Sequence, residues 1–580
     1  MECSVPITIE FTEDQRELIE TPGSMFVEAC PGAGKTQSIV ERFLIRPNSV
    51  DRRGVALLSF TNTAASEARS RCAARPDLLE TPNFVGTIDG FVNRFIVGPL
   101  YRRDYGRWPT FKDSWDTVQG ANFGIREAQR ITFHLDWFEF DHNGNPRLDP
   151  SRVRGPERDL VKDLKRWQTS AAEMKAHQLY TRFSENGIMD SEGARRRMWK
   201  LIDDPVIGGE LSLLLGNRFV EAIVDEVQDC SPEDIRLIEF LLDSGIKVVM
   251  VGDLEQAIFG FRGSAIEAVR QLCERVPHGL RLSKNFRSSP SICALVDSLR
   301  YGTERDEPAG PWRSEESPIC LVRYKNLGKA HAKVIEEVSK NNLDASQVTV
   351  LSHGRYHARK CAGAPAVGKP SVAPLILLAR AVVGIRDRRS SDRERARAGE
   401  IFLSTLKSMA NEELHFLADQ EFCAAIGIDE QTLRIGCARL AYRLNPLNVL
   451  PSVFKEEVRS GIAALGWDGW IDVSKLRLPS GNKWTDTDAV EDGALRWSSI
   501  HSFKGLQSPA VALVIPQSSR EYDSGVAFWE KNEPHEARRV LYVGASRAER
   551  LIVLFVHDSQ CDAVVACLER DAVPFTHDTI

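Results

Sequence analysis

Short apolar runs, each ending in small or polar residues, punctuate the chain: Met25-Phe26-Val27, Val55-Ala56-Leu57-Leu58-Ser59-Phe60, Phe84-Val85-Gly86, Phe219-Val220-Glu221-Ala222-Ile223-Val224, Val248-Val249-Met250-Val251 and Leu551-Ile552-Val553-Leu554-Phe555-Val556. Runs this short and this rich in β-branched residues predict strands buried on both faces, as in a parallel sheet. Helical spacing follows the first two, at Ser38-Ile39-Val40-Glu41-Arg42-Phe43-Leu44 and at Thr61-Asn62-Thr63-Ala64-Ala65-Ser66-Glu67-Ala68. The repeated order of strand, loop and helix predicts an α/β fold. Between about residues 97 and 218 the pattern turns mostly helical and charged, broken by an alternating run over 131–140 that meets a turn at His142-Asn143-Gly144-Asn145 and returns through Arg147-Leu148. That alternation predicts a short hairpin inside an inserted domain. Near the start, Phe11-Thr12-Glu13-Asp14-Gln15-Arg16 predicts a helix with Thr12 as its N-cap.

Length changes this picture first. At 580 residues the chain exceeds what one core organises, so about three or four domains are expected. Lys+Arg 75 against Asp+Glu 81 leaves a net charge of −6, which argues against a coat-like nucleic-acid binder but is compatible with a single strand held in one local groove. The twelve cysteines show no C-x-x-C pair and read as small buried hydrophobes in a reducing cytosol. No signal-like segment opens the chain, and no uncharged run approaches about 18 residues. A cytoplasmic protein without a membrane partner is expected.

Chemistry enters at the loop after the first run, Ala29-Cys30-Pro31-Gly32-Ala33-Gly34-Lys35-Thr36. Gly32 and Gly34 let the backbone curl so that several N–H groups face one point, and the following helix adds its positive end. An anion is the natural occupant. Lys35 is placed to reach β- and γ-phosphates and Thr36 to ligate Mg²⁺, although the first position of the usual pattern is Ala29 instead of glycine. The run over 219–224 ends in Asp225-Glu226, the pair that such a loop requires elsewhere in the sheet: Asp225 for the Mg²⁺ shell, Glu226 to polarise the attacking water. Gln15 offers a donor and an acceptor to an adenine edge, or is an ordinary surface glutamine. Phe60, Thr61 and Asn62 lie at a strand's carboxyl end, where ligands bind in open α/β sheets. Phe60 is either a stacking platform or a core residue. Gly86-Thr87 ends another strand on the same face. Gln256 stands a few residues before Phe259 and Phe261, so one loop would touch a γ-phosphate and a stacked base together. Phe286 and Arg287 then place an aromatic beside a cation.

In this order, and with Ser499-Ile500-His501-Ser502-Phe503-Lys504-Gly505-Leu506-Gln507 and Leu541-Tyr542-Val543-Gly544-Ala545-Ser546-Arg547-Ala548 near the carboxyl end, the chain resembles the motif series of superfamily 1 helicases of the UvrD/Rep/PcrA type. The resemblance implies two RecA-like P-loop domains, each interrupted by a mainly helical inserted domain. Residues 1–96 with 206–290 would form the first RecA-like domain and 291–356 with 491–580 the second, with inserts over 97–205 and 357–490. Lys35, Thr36, Asp225 and Glu226 would serve ATP·Mg²⁺, with Ala29, Gly32, Ala33 and Gly34 lining the phosphates. Gln256, Arg287 and Arg547 would contact the γ-phosphate; Gln15 and Phe286 would hold the adenine. Phe60, Thr61, Asn62, Thr87, Phe259, Phe261 and His501 would line a single-strand path. The activity implied is DNA-dependent ATP hydrolysis driving 3′-to-5′ translocation or unwinding. Gln37 stands where relatives carry an arginine that stacks on adenine, Phe261 replaces a tryptophan, and Gln507 replaces a glutamate. The segment over 82–92 is similar to its equivalent in the helicase-like subunit of Gabija-type anti-phage systems, which implies a nuclease partner in trans; an unpartnered DNA-repair helicase is the other role the resemblance allows. A DNA-end-sensing regulatory NTPase, licensing that nuclease without unwinding, is the alternative.

Overall fold

The computed structural model describes residues 10–45, 53–72, 75–115, 118, 120–128, 131–141, 143–153, 157–258, 266–364, 374–386, 392–410, 414, 419–447, 449–478, 495–518 and 524–580. Two compact units share the chain, one of Met1–Ile88, Gly209–Ala366 and Val490–Ile580, the other of Asp89–Gly208 and Val367–Ala489.

The first unit contains two six-stranded sheets. The first sheet holds β1 (Met25–Ala29), β2 (Gly54–Ser59), β3 (Phe84–Thr87), β4 (Phe219–Asp225), β5 (Lys247–Gly252) and β6 (Gly279–Leu282) in the order β6-β1-β5-β4-β2-β3, with every pair parallel. Its strands are apolar because helices cover both faces; all six residues of β2 are buried. Helix α1 (Glu13–Glu20) opens on a reciprocal cap, with Thr12 Oγ1 accepting from Gln15 N and Gln15 Oε1 accepting from Thr12 N. Helix α2 (Lys35–Ile45) follows β1, and α3 (Asn62–Arg71), capped by the Thr61 hydroxyl, follows β2.

The second sheet holds β7 (Ile319–Tyr324), β8 (Val348–Ser352), β9 (Arg496–Ser499), β10 (Ser508–Ile515), β11 (Ala548–His557) and β12 (Phe575–Thr579) in the order β9-β8-β10-β11-β7-β12, again parallel throughout. Its period of two divides the core. Val511 and Leu513 face one cluster with Trp529 and Tyr542, while Ala510, Ala512 and Val514 face another with Val334 and Val338. Helix α4 (Pro290–Leu299) and helix α5 (Glu536–Ala545) pack on the first of these faces.

In the second unit, the residues before 208 build a mixed core around Trp115, Phe133, Phe138 and Phe183. The expected hairpin is present but shorter than the alternation suggests. Phe138–Phe140 pairs antiparallel with Pro146–Leu148, whereas Phe133–His134 pairs with Asn122–Phe123. A single tight turn over Leu135–Trp137 separates them, with the Asp136 carboxylate accepting from Trp115 N. The residues after 367 form helices, among them Pro374–Arg386, Glu430–Arg443 and Pro451–Ala464, around Phe402, Leu440, Phe454 and Trp467. Among the described residues no helix is long and apolar enough to cross a membrane.

Candidate active site

The phosphate loop joins β1 to α2. Gly32 and Gly34 have φ of +75° and +74°, values that L side chains rarely adopt. Space matters as well, because a Cβ on Gly32 would stand 2.5 Å from Arg287 Cβ. Ala29 and Ala33 are buried, and Thr36 is half-buried one residue into α2. Lys35 Nζ lies 3.7 Å from Glu226 Oε1, with 11% of its side chain exposed. Burial would depress the Lys35 ammonium, but the charges of Glu226, Asp253 and Asp225 hold it above its ordinary value.

Asp225 ends β4, and Glu226 turns out of it with φ +55°, a left-handed conformation that aims its carboxylate at Lys35. The two acids titrate together. Burial and the neighbouring Glu226 charge push Asp225 up, while Lys35 and Lys504 overcome burial and bring Glu226 down. Gln228 Nε2 also donates to Glu226 Oε2. Glu226 is therefore held as the carboxylate, opposite the Lys35 ammonium.

From the second sheet, Arg547 follows α5 and reaches Gln256: its Nη2 donates to Gln256 Oε1 at 2.9 Å and to Ser546 Oγ at 2.8 Å. Arg287 Nη1 donates to Ser546 O at 3.0 Å. Burial together with the Arg287 charge pulls the Arg547 guanidinium down to about 9. Lys35 faces Glu226 beside Asp225, Arg547 meets Gln256, and Arg287 stands against Ser546 and Gly32, so these side chains gather where residues of the two sheets come together. This donor set fits a triphosphate: a glycine cradle, one lysine and two arginines on one side of two acids. Among the described residues no three His, Cys, Asp or Glu side chains group to hold a metal ion by themselves; a Mg²⁺ shared with phosphates needs fewer, and Thr36 and Asp225 would supply them.

The base-side residues are engaged with the protein. Gln15 Nε2 donates to Ala33 O at 3.0 Å, so both ends of its amide serve the cap and the loop, and it is buried rather than on the surface. Gln37 Oε1 accepts from Arg71 Nη1 of α3. Phe286 is half-buried, its backbone N–H bonded to Gly32 O at 3.0 Å.

Phe60, Thr61, Asn62 and Thr87 meet at the carboxyl edge of the first sheet, where Ser59 pairs with Thr87. Phe60 is half-buried and Asn62 exposed. His501 Nε2 lies 3.1 Å from Ile258 O, and its ring is 5.3 Å from that of His353. Phe259 and Phe261 fall outside the described residues.

Sequence reasoning missed three participants. Lys504 Nζ bonds both Asp229 oxygens at 2.6 Å and Gln256 O at 2.7 Å, joining the sheets across 275 residues of sequence. Asp229, pushed up to about 6 by burial against the opposing Lys504 charge, sits three residues after Glu226. Tyr542 donates to Asp253 at 2.9 Å. Both Lys504 and Tyr542 lie inside quoted motifs, but nothing local names their partners.

The family described as the UvrD/REP helicase N-terminal domain matches residues 11–277. The chain is 25% identical over 299 residues to DNA helicase II of Salmonella typhimurium, covering 50% of this chain and 40% of that protein. It is 24% identical over 585 residues to ATP-dependent DNA helicase UvrD2 of Mycobacterium bovis, covering 94% of this chain and 78% of the relative. With ATP-dependent DNA helicase PcrA of Staphylococcus epidermidis the identity is 21% over 358 residues, 59% and 47% of the two chains. The chain therefore spans less than half the length of two of these three relatives. Over residues 11–277, the parallel sheet and the loop geometry agree with the likeness to the UvrD/REP helicase N-terminal domain.

Proposed function

We propose that the chain is a DNA-dependent ATPase that moves 3′-to-5′ along single-stranded or tailed DNA. The observation that carries this reading is the meeting of Arg547 with Gln256 across the cleft that Lys35 and Glu226 line. ATP with Mg²⁺ supplies the phosphoanhydride. Lys35, Arg287 and Arg547 stabilise negative charge that grows on the transferred group, and Glu226 accepts the proton of the attacking water. Because Arg547 belongs to the second sheet and Lys35 to the first, hydrolysis is tied to closure of the cleft, and repeated closure is how turnover becomes a step along DNA. Phe60, Thr61, Asn62, Thr87, Phe259, Phe261 and His501 are the residues proposed to contact the strand. The relatives' printed names, ATP-dependent DNA helicase among them, support the substrate class.

The finer reading is a cytoplasmic motor of a Gabija-type anti-phage system partnered by a nuclease, and the support for it is the segment over 82–92. The test is strand displacement with 3′-tailed and 5′-tailed duplexes beside a DNA-stimulated ATPase assay. Stimulated hydrolysis with unwinding of 3′-tailed duplex is expected. Stimulation without unwinding would favour a DNA-end-sensing regulator, and hydrolysis indifferent to DNA would refute both.

A further inference from the structure

Asp253 stands immediately after β5 and is 3% exposed. Its backbone N–H donates to Gln228 Oε1 at 3.1 Å and its Oδ1 accepts from Glu255 N at 3.1 Å. Its Oδ2 takes two donors at 2.9 Å, the Gln256 amide and the Tyr542 hydroxyl. Tyr542 lies on α5, is fully buried, and is 289 residues away in sequence.

Donor and acceptor chemistry leaves this group of side chains one arrangement. Arg300 Nη2 donates to the Tyr542 oxygen at 3.0 Å and can accept nothing, so the tyrosine's single proton goes to Asp253. Arg300 is held in turn by both oxygens of Asp306, at 2.7 and 2.6 Å, and Asp306 N–H bonds the Asp297 carboxylate. A carboxylate only accepts, so the Gln256 Nε2 faces Asp253, which leaves Oε1 for the Arg547 guanidinium. The way Gln256 points in the cleft is therefore set from behind.

We propose that Tyr542 is a positioning residue: its hydroxyl orients Asp253, Asp253 orients the Gln256 amide, and the amide meets Arg547 only while the tie holds. The inference rests on the ATPase reading above and deepens it by naming what keeps the Gln256–Arg547 contact in register. Phenylalanine would fill the same volume and keep the ring's packing, so the hydroxyl alone can be removed. Without it Asp253 loses one of two donors on Oδ2, and Gln256 gains freedom to turn away from Arg547.

The experiment uses the full chain, wild type and Tyr542→Phe, with MgATP in the presence and absence of oligodeoxythymidine. Turnover is expected to fall about tenfold or more, since small misplacements at a reacting centre carry penalties of that order, while equilibrium binding of a fluorescent ATP analogue stays within about twofold, less than about 0.4 kcal/mol. A merely structural hydroxyl would lower the folded fraction and leave turnover per folded molecule unchanged. The double variant Asp253→Asn/Tyr542→Phe is expected to be no slower than Asp253→Asn alone, because both act through one path. Turnover of Tyr542→Phe within about twofold of wild type, on the same scale, or additive losses in the double variant, would overturn the tie. A wild type that hydrolyses no nucleotide under either condition overturns the ATPase reading and the tie together, whereas an active wild type with an unaffected variant overturns only the tie. Should Tyr542→Phe not accumulate folded, Asp253→Asn reads the same path, and wild-type turnover there overturns it equally.

Discussion

Removing the Glu221 carboxylate tests what holds the loop, the first helix and the acid-bearing strand together. Glu221 sits on β4 four residues before Asp225 and is 5% exposed at its side chain; Arg42, on α2, is 0% exposed. The guanidinium forms a fork to Glu221 at 2.8 and 2.7 Å, and its Nη1 donates to Leu18 O at 2.6 Å and Thr21 O at 2.8 Å at the end of α1. One cation thus joins the helix carrying Gln15, the helix carrying Lys35 and the strand carrying Asp225. Glu221→Gln leaves a buried guanidinium without its counter-charge, and breaking one side of such a pair costs about 3–5 kcal/mol. Replacing both partners, as Arg42→Met/Glu221→Leu, removes the unpaired charge and should cost less, the remainder being the Leu18 carbonyl at about 1–3 kcal/mol for an unmet buried acceptor. Because the chain has several cores, a single unfolding midpoint is not a sufficient readout. Hydrogen exchange of the β4 and β5 amides in mild urea reports this sheet specifically. A Glu221→Gln loss under about 1 kcal/mol, or a double variant less stable than the single, would refute the reasoning.

Lys35→Ala should abolish turnover by removing the point charge on the phosphates, whereas Glu226→Gln should bind ATP normally and hydrolyse it slowly; normal hydrolysis in both would refute the site. With Gln37 joined to Arg71 in place of an arginine over the base, one cation–π contact of about 0.5–2 kcal/mol is missing. Specificity constants for GTP, CTP and UTP should therefore fall within about tenfold of ATP, and Gln37→Arg should widen the gap; a wild type already strict for ATP would contradict this. Asp190 caps the helix Ser191–Asp203 through Gly193 N, and burial raises its carboxyl from 3.8 to about 6. Its folded value lies above its ordinary one, so its contribution to stability is full below pH 3.8 and is lost as pH rises through about 6. Asp190→Asn keeps an acceptor at the cap and should gain on wild type across that window in thermal unfolding; parallel curves would show that Asp190 does not titrate there.

The parallel sheets and the phosphate loop with the side chains gathered around it were legible because their signals are local. An apolar run, a turn of fixed composition and a helix start sit within a dozen residues at Lys35, and strand ends mark Asp225 and Gln256. What escaped was long-range or conditional. Lys504 and Asp229 are separated by 275 residues and Tyr542 and Asp253 by 289, and no periodicity encodes either pairing. The run over 131–140 read as one strand because a three-residue turn at Leu135–Trp137 hardly disturbs alternation. Gln15 had the chemistry expected of it, yet a neighbouring carbonyl and its own helix cap claim both ends. Composition identifies a group's capacity, and only packing shows where that capacity is spent.

The stretch from Phe286 to Ser289 behaves as a fulcrum. Phe286 N–H is fixed to Gly32 O of the first sheet's loop, while Ser288 Oγ and Ser289 N–H are fixed to Ala548 O and Glu549 O of the second sheet. Arg287 lies between these moorings, and a single residue spans at most about 3.6 Å of chain. Rotation of one sheet against the other can twist Arg287 but cannot carry its backbone far from the phosphate loop. Among the described residues Arg547 itself makes no hydrogen bond to the first sheet's main chain, and its own tie to that sheet is the Gln256 side chain. The two arginines, alike in charge, therefore differ in how they are tethered: the backbone beside one is pinned to the phosphate loop, and the other reaches the first sheet through a single side chain.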